Sequence, residues 1–241
     1  MSAPTSGNLE ARPNKPTPPY PPMKNFVASL VVITVLPVVS LAADHRDDFN
    51  QAPLNQPPPG WTIAITGQGE PRWIVTSDPA DPATRVLRQE GTVSRPCFPL
   101  CLKSGAALTD GFVETRFKSV SGKIDQAAGV VWRWRDSQNY YICRANALEN
   151  NVVAYKVVEG KRTALEIVGR TGGYGVAEKV APAQWHTLRV EFAGNTFIVR
   201  FNGKELFRVR DDTFASSGLT GLWTKADSVM LFDDFSCGAT R

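Results

Sequence analysis

The residues best suited to chemistry in this chain lie between Asp125 and Asn146, in the run Asp125-Gln-Ala-Ala-Gly-Val-Val-Trp-Arg-Trp-Arg-Asp-Ser-Gln-Asn-Tyr-Tyr-Ile-Cys-Arg-Ala-Asn146. Side chains alternate across a strand, so Arg133 and Arg135 are expected on one face and Trp132 and Trp134 on the other. In the next strand Arg144 and Asn146 share a face opposite Tyr141, Cys143 and Ala145, and Asp136 to Asn139 is short enough for a hairpin. If the polar faces align, Arg133, Arg135, Arg144 and Asn146, flanked by Asn139, form one patch. Guanidinium forks and amides make paired, directional hydrogen bonds of the kind that sugar hydroxyls and carboxylates accept. The plainer alternative is a solvated face on which the arginine stems cover the sheet. Trp132 and Trp134 fit either ring stacking or a core, and their place in mid-strand favours the core.

Acid–base chemistry has thinner support. A retaining glycosidase needs two carboxyls ~5–5.5 Å apart, which on a strand means acids at i, i+2 or i, i+4. No expected interior strand carries such a pair, so the candidates are the loop acids Asp125 and Glu149. Gly-x-Ser-x-Gly and His-Glu-x-x-His are both absent, which removes the serine-hydrolase and zincin readings. Gly172-Gly-Tyr-Gly175 has no helix after it and reads as a turn. No motif requires a cofactor. One structural metal is conceivable: Asp48 near the start and Asp233 near the end would meet if the terminal strands pair, and calcium bridges such carboxylates.

The elements that position these groups are strands. From Trp61 onward the chain alternates with period two. The expected strands are 112–118, 129–135, 140–146, 152–158, 163–168, 186–192, 197–201, 206–210 and 229–235, all rich in β-branched and aromatic residues. Asn202-Gly203 is the strongest hairpin signal, because a type I′ turn needs positive φ at both central residues. Glu159-Gly160 and Gly194-Asn195 mark two more. Many short strands with tight turns, and no crossover helices, give an all-β sandwich.

The first residues read as processing signal. Residues 1–22 are Pro-rich and poor in aliphatic side chains, hence disordered. Met23 and Lys24 precede an apolar run, Phe26 to Leu41, ending Ser40-Leu41-Ala42, which is the pattern of a secretory signal peptide over 23–42. The run is shorter than the ~20 residues of a spanning helix and contains Pro37. Contact with a membrane is therefore expected only through this segment, if it stays uncleaved. The remaining 43–241 is one domain, expected to be exported to the periplasm or beyond and to act as a monomer. Its net charge is small (+4 over the whole chain) and its basic residues are scattered, which excludes a nucleic-acid footprint. Four cysteines agree with an oxidising compartment. They allow three pairings, of which a Cys97–Cys101 bridge is preferred, with Cys143 either bonded to Cys237 or buried as a small apolar side chain.

Five stretches, Gly129-Val-Val-Trp-Arg-Trp, Asn139-Tyr-Tyr, Trp185-His-Thr-Leu-Arg-Val, Phe201-Asn-Gly-Lys and Phe232-Asp-Asp-Phe, resemble the bacterial secreted domains called 3-keto-disaccharide hydrolase-like. The resemblance runs from about Asp47 to Gly238. It implies a concanavalin-A-like jelly-roll sandwich of two antiparallel sheets, related to laminin-G modules and glycoside hydrolase family 16, with ligands met on the concave sheet or its rim. The Glu-x-Asp-x-x-Glu strand of family 16 has no counterpart here, and no catalytic motif carries over residue by residue. The expectation is a carbohydrate-binding domain. A glycoside hydrolase acting on (3-keto-)disaccharides and a laminin-G-like protein-interaction domain are the alternatives.

Overall fold

The computed structural model describes residues 44–91 and 97–239, with the isolated residues 14, 16 and 19. The expected signal peptide, and the rest of the expected N-terminal extension, lie outside the described residues. These form no helix and sixteen strands: β1 (His45–Asp47), β2 (Trp61–Gly67), β3 (Trp73–Asp78), β4 (Asp81–Glu90), β5 (Cys97–Leu108), β6 (Gly111–Ser121), β7 (Ala127–Asp136), β8 (Asn139–Asn146), β9 (Asn151–Val158), β10 (Lys161–Ala164), β11 (Val176–Ala177), β12 (Trp185–Ala193), β13 (Thr196–Phe201), β14 (Lys204–Arg210), β15 (Gly218–Thr224) and β16 (Val229–Gly238). Sheet A runs β14-β13-β12-β6-β16-β4-β3, with β1 added beside β16. Sheet B runs β10-β9-β8-β7-β15-β5-β2, with β11 beside β9. All pairs are antiparallel, as a jelly-roll sandwich requires. Asn202 and Gly203 have φ of 48° and 80°, the conformation anticipated for that hairpin.

The two sheets bury their sequences differently. Strands β6, β12 and β13 alternate between buried and partly exposed, as a sheet with one wet face should. Their inner side chains, among them Val113, Phe117, Leu188 and Val190, meet Trp132, Tyr141 and Cys143 of sheet B in the main core. Trp132 stacks on Tyr141 at 5.4 Å and meets Phe197 edge-on at 5.3 Å. Each such side chain contributes ~1.5–3 kcal/mol by leaving water. In contrast, β7, β8 and β9 are buried on both faces. The second face of sheet B carries its own core of Leu100, Leu102, Val131, Ile142, Val157 and Trp223.

Curvature contributes to that second burial. β2 and β8 are separated in sheet B by β5, β15 and β7. Four spacings of ~4.8 Å would hold them ~19 Å apart in a flat sheet. Yet the hydroxyls of Thr66 on β2 and Tyr140 on β8 lie 2.7 Å apart, so the sheet curls and the face turned from sheet A is concave. We call the line where its borders meet the seam.

The first and last strands of the described residues pair as anticipated, with His45 opposite Cys237 and Asp47 opposite Phe235. Two of their acids are compensated by protein groups. Asp47 accepts from Trp61 Nε1 at 2.8 Å and Lys103 at 3.1 Å, and Asp234 accepts from Arg116 at 2.9 Å.

Three expectations are corrected. Cys97 and Cys101 sit four residues apart on the extended strand β5, ~13 Å of chain against the ~4.4–6.8 Å a disulfide spans. Cys101, Cys143 and Cys237 are buried free thiols, so Cys143 follows its apolar alternative. The strand expected over 163–168 is shorter: β10 ends at Ala164, and only an isolated bridge from Ile167 to Val209 follows. Lastly, a β-bulge interrupts β7 between Trp132 and Asp136, with Arg133 at φ 48°. Against β15 the strand gains one residue between Val131 and Trp134, which shifts the alternation, so Trp132 faces the main core and Trp134 the second one.

Candidate functional site

The expected arginine patch divides into two places. Arg133, turned inward by the bulge, is 1% exposed. Its Nε donates to Thr109 O (2.9 Å), its Nη1 to Phe214 O (2.7 Å), and its Nη2 to Gly194 O (2.7 Å) and Asp110 Oδ1 (3.2 Å). Phe192 and Phe197 lie beside the guanidinium. Every donating nitrogen is used. Arg135 stays outside, over Phe214 and bonded to Ser216. Asn139 closes its own hairpin by donating to Asp136.

Arg144 and Asn146 lie toward the opposite end of β8, and there the structure gathers the loop acids. Arg144, 1% exposed, donates through Nη2 to Glu149 (2.7 Å), Tyr155 (3.1 Å) and Tyr174 (3.2 Å). Its Nη1 bonds the side chain of Asn151. Asn146 donates to Asp125 at 2.7 Å while its Oδ1 accepts from the backbone of Leu148 and Glu149. Lys225 is ion-paired with Asp125, and Asp227 fixes the 123–125 loop by accepting from its backbone N–H groups. Burial tends to raise the Glu149 pKa, but Arg144 and the Asn151 amide outweigh it and hold the carboxyl below its usual range. Glu149 is therefore a carboxylate at neutral pH, an acceptor and not a proton donor. Burial likewise tends to lower the Arg144 pKa, and the charges of Tyr155 and Glu149 reverse the shift.

Above this buried base the rim is open and partly apolar: Tyr174 is 48% exposed, Leu148 50% and Ile124 38%. The Tyr174 loop is fixed by Gly175 at φ +60°, where a Cβ would stand 2.4 Å from Val152 O and Val153 Cγ2. Arg170 donates to Gly175 O across the same loop. Tyr155, Tyr174, Asn151 and Lys225 were not singled out in the sequence. Alternation along β9 places Tyr155 on the concave face, but nothing local joins Tyr174 to Arg144.

Asp48 and Asp233 do come near each other. Burial, with the charges of Asp234 and Asp48, outweighs the Asp234 N–H and Arg116 and raises the Asp233 pKa to about 6. Among the described residues, no group of three or more His, Cys, Asp or Glu side chains is arranged to hold a metal ion.

No family model matches this chain, and no curated protein matches it in sequence. Among solved structures it is similar to the carbohydrate binding module CBM66 from Bacillus subtilis, with a TM-score of 0.59 and 17% identity over 75% of this chain and 96% of that one. It is also similar to the cellulose induced protein Cip1, with a TM-score of 0.55 and 12% identity over 82% of this chain and 98% of that one. At these identities the likeness is one of fold.

Proposed function

We propose that this chain is an exported glycan-binding domain whose ligand meets Tyr174 and Glu149 at the loop end of sheet B. The observation that carries the reading is Arg144, a buried cation that holds a half-exposed tyrosine ring and a half-exposed carboxylate side by side. A tyrosine ring offers a sugar an apolar face, and a fixed carboxylate accepts from its hydroxyls. The jelly-roll fold shared with CBM66 supports the ligand class. A hydrolase acting on (3-keto-)disaccharides would need a proton donor. Glu149 is ionised and Asp125 is committed to Lys225 and Asn146, so binding is the better supported activity.

The test is calorimetric titration of glycans found to bind on an array. Tyr174→Ala and Glu149→Gln should each weaken binding by about tenfold or more, roughly 1.4 kcal/mol, with the fold retained. Unchanged affinity in both variants would sink the assignment. Arg144→Ala is the poorer probe, because a side chain this buried also supports the loops.

A further inference from the structure

Arg162 on β10 belongs to neither arginine group. Its guanidinium carbon stands 5.0 Å from the Phe98 ring, 4.3 Å from Tyr155 and 5.7 Å from Trp223, so it reaches from the border strand β10 across the concave face to β15 and β5. Among the described residues no carboxylate is within ion-pair distance of it, and its Nη1 is buried without a hydrogen-bond partner. Arg144 Nε, on the other side of the contact, is also buried and unpartnered, and the Arg144 guanidinium carbon is 5.8 Å from the same Tyr155 ring. A partly buried guanidinium with an unmet donor favours an oxyanion, which answers both its charge and its fork geometry.

Beside Arg162 the seam opens into a cavity of ≈ 390 Å³, within the range of small-ligand sites. Its walls are Thr66 and Gln68 at the end of β2, Phe98, the Ser137–Gln138 turn and the turn at Glu159. They combine one aromatic ring, two amides and two hydroxyls. Phe98 is shared: the ring lines the cavity and also lies under the Arg162 guanidinium. Glu159, the one acid among the lining residues, is exposed.

We propose that this cavity takes one residue of an acidic saccharide, with the sugar's oxyanion pairing to Arg162. The inference rests on the glycan-binding reading and adds to it a ligand class and a second subsite. The two amides and the Ser137 hydroxyl meet the sugar hydroxyls, Phe98 meets the ring, and Arg162 supplies the selectivity for charge.

The experiment is an array of neutral, uronate-bearing and sulfate-ester-bearing glycans, followed by calorimetry of each hit on the wild-type protein and on Arg162→Gln and Arg162→Lys. Oxyanion-bearing glycans should bind at least tenfold tighter than neutral counterparts of the same skeleton, and the uronate and sulfate arms identify which oxyanion is preferred. Arg162→Gln should remove that preference, and Arg162→Lys should retain only part of it. Equal affinity for neutral and acidic glycans overturns the inference and leaves the glycan-binding reading in place. Survival of the preference in Arg162→Gln overturns it as well. An array without any hit overturns both.

Discussion

Arg133 and Arg162 lie on opposite faces of the same sheet, and the contrast between them separates a structural cation from a binding one. Arg133 has four hydrogen bonds, three to carbonyl oxygens, and an aspartate beside it. Arg162 has three aromatic rings, a buried N–H without an acceptor, and no acid within reach among the described residues. Arg133 leaves water and recovers the lost hydration from the protein, whereas Arg162 is only partly buried and keeps one buried N–H unmet. Arg133 therefore stabilises the fold, while Arg162 is left able to recognise an anion.

The largest effect that would break this comparison is on stability. Arg133→Ala strips charged donors from the carbonyls of Thr109, Phe214 and Gly194, and Tyr141 and Asp211 brace the same loop through Phe214. The loss should be about 3–5 kcal/mol in urea or guanidinium unfolding. Arg162→Gln should cost about 1 kcal/mol or less, since cation–π contacts are modest and an unmet buried donor goes with them. Equal losses in the two variants would make Arg162 a structural stitch.

A smaller effect is expected where the Tyr174 loop is anchored. Gly175→Ala places a methyl at positive φ against Val152 O and the Val153 side chain. It should cost about 2 kcal/mol and weaken binding at the Tyr174 end, while the Arg162 preference for acidic sugars stays. If both affinities fell together, the two places would be one site.

This division also explains what could be read from the sequence. Strand positions and the Asn202-Gly203 hairpin follow from period-two alternation and turn chemistry, which are local. The patch of Arg133, Arg135, Arg144 and Asn146 also assumed unbroken alternation. One bulged residue is enough to send Arg133 inward, and no neighbouring residue type marks it. Gly218 on β15 does: a Cβ there would stand 2.5 Å from Arg133 C, but that contact joins positions 85 residues apart. The pairing of Asp125 with Asn146 and of Glu149 with Arg144 was half legible, since the four residues were named without being joined. Arg162 escaped because its significance depends on the curl of sheet B, which is set by the whole sheet.

The last effect concerns protons and opposes two acids. Asp233 is buried, with its pKa raised to about 6 from an ordinary value near 4. Between those two values the folded protein keeps a proton that the unfolded chain has released. Its contribution is thus complete below pH ~4 and lost as pH rises through 6, by about 1–3 kcal/mol. Asp233→Asn should remove that fall and leave the protein more stable at neutral pH. Glu149 has the opposite sign: its lowered pKa stabilises the fold above the unfolded value and is lost as pH falls through the folded one. Glu149→Gln should therefore flatten the acid limb of the stability profile, where Asp233→Asn flattens the stretch between pH 4 and 6. Unfolding curves collected from pH 3 to 7 separate the two. A Glu149→Gln profile that kept its acid limb would mean that Arg144 does not hold that carboxylate, and the proposed site would lose its central pair.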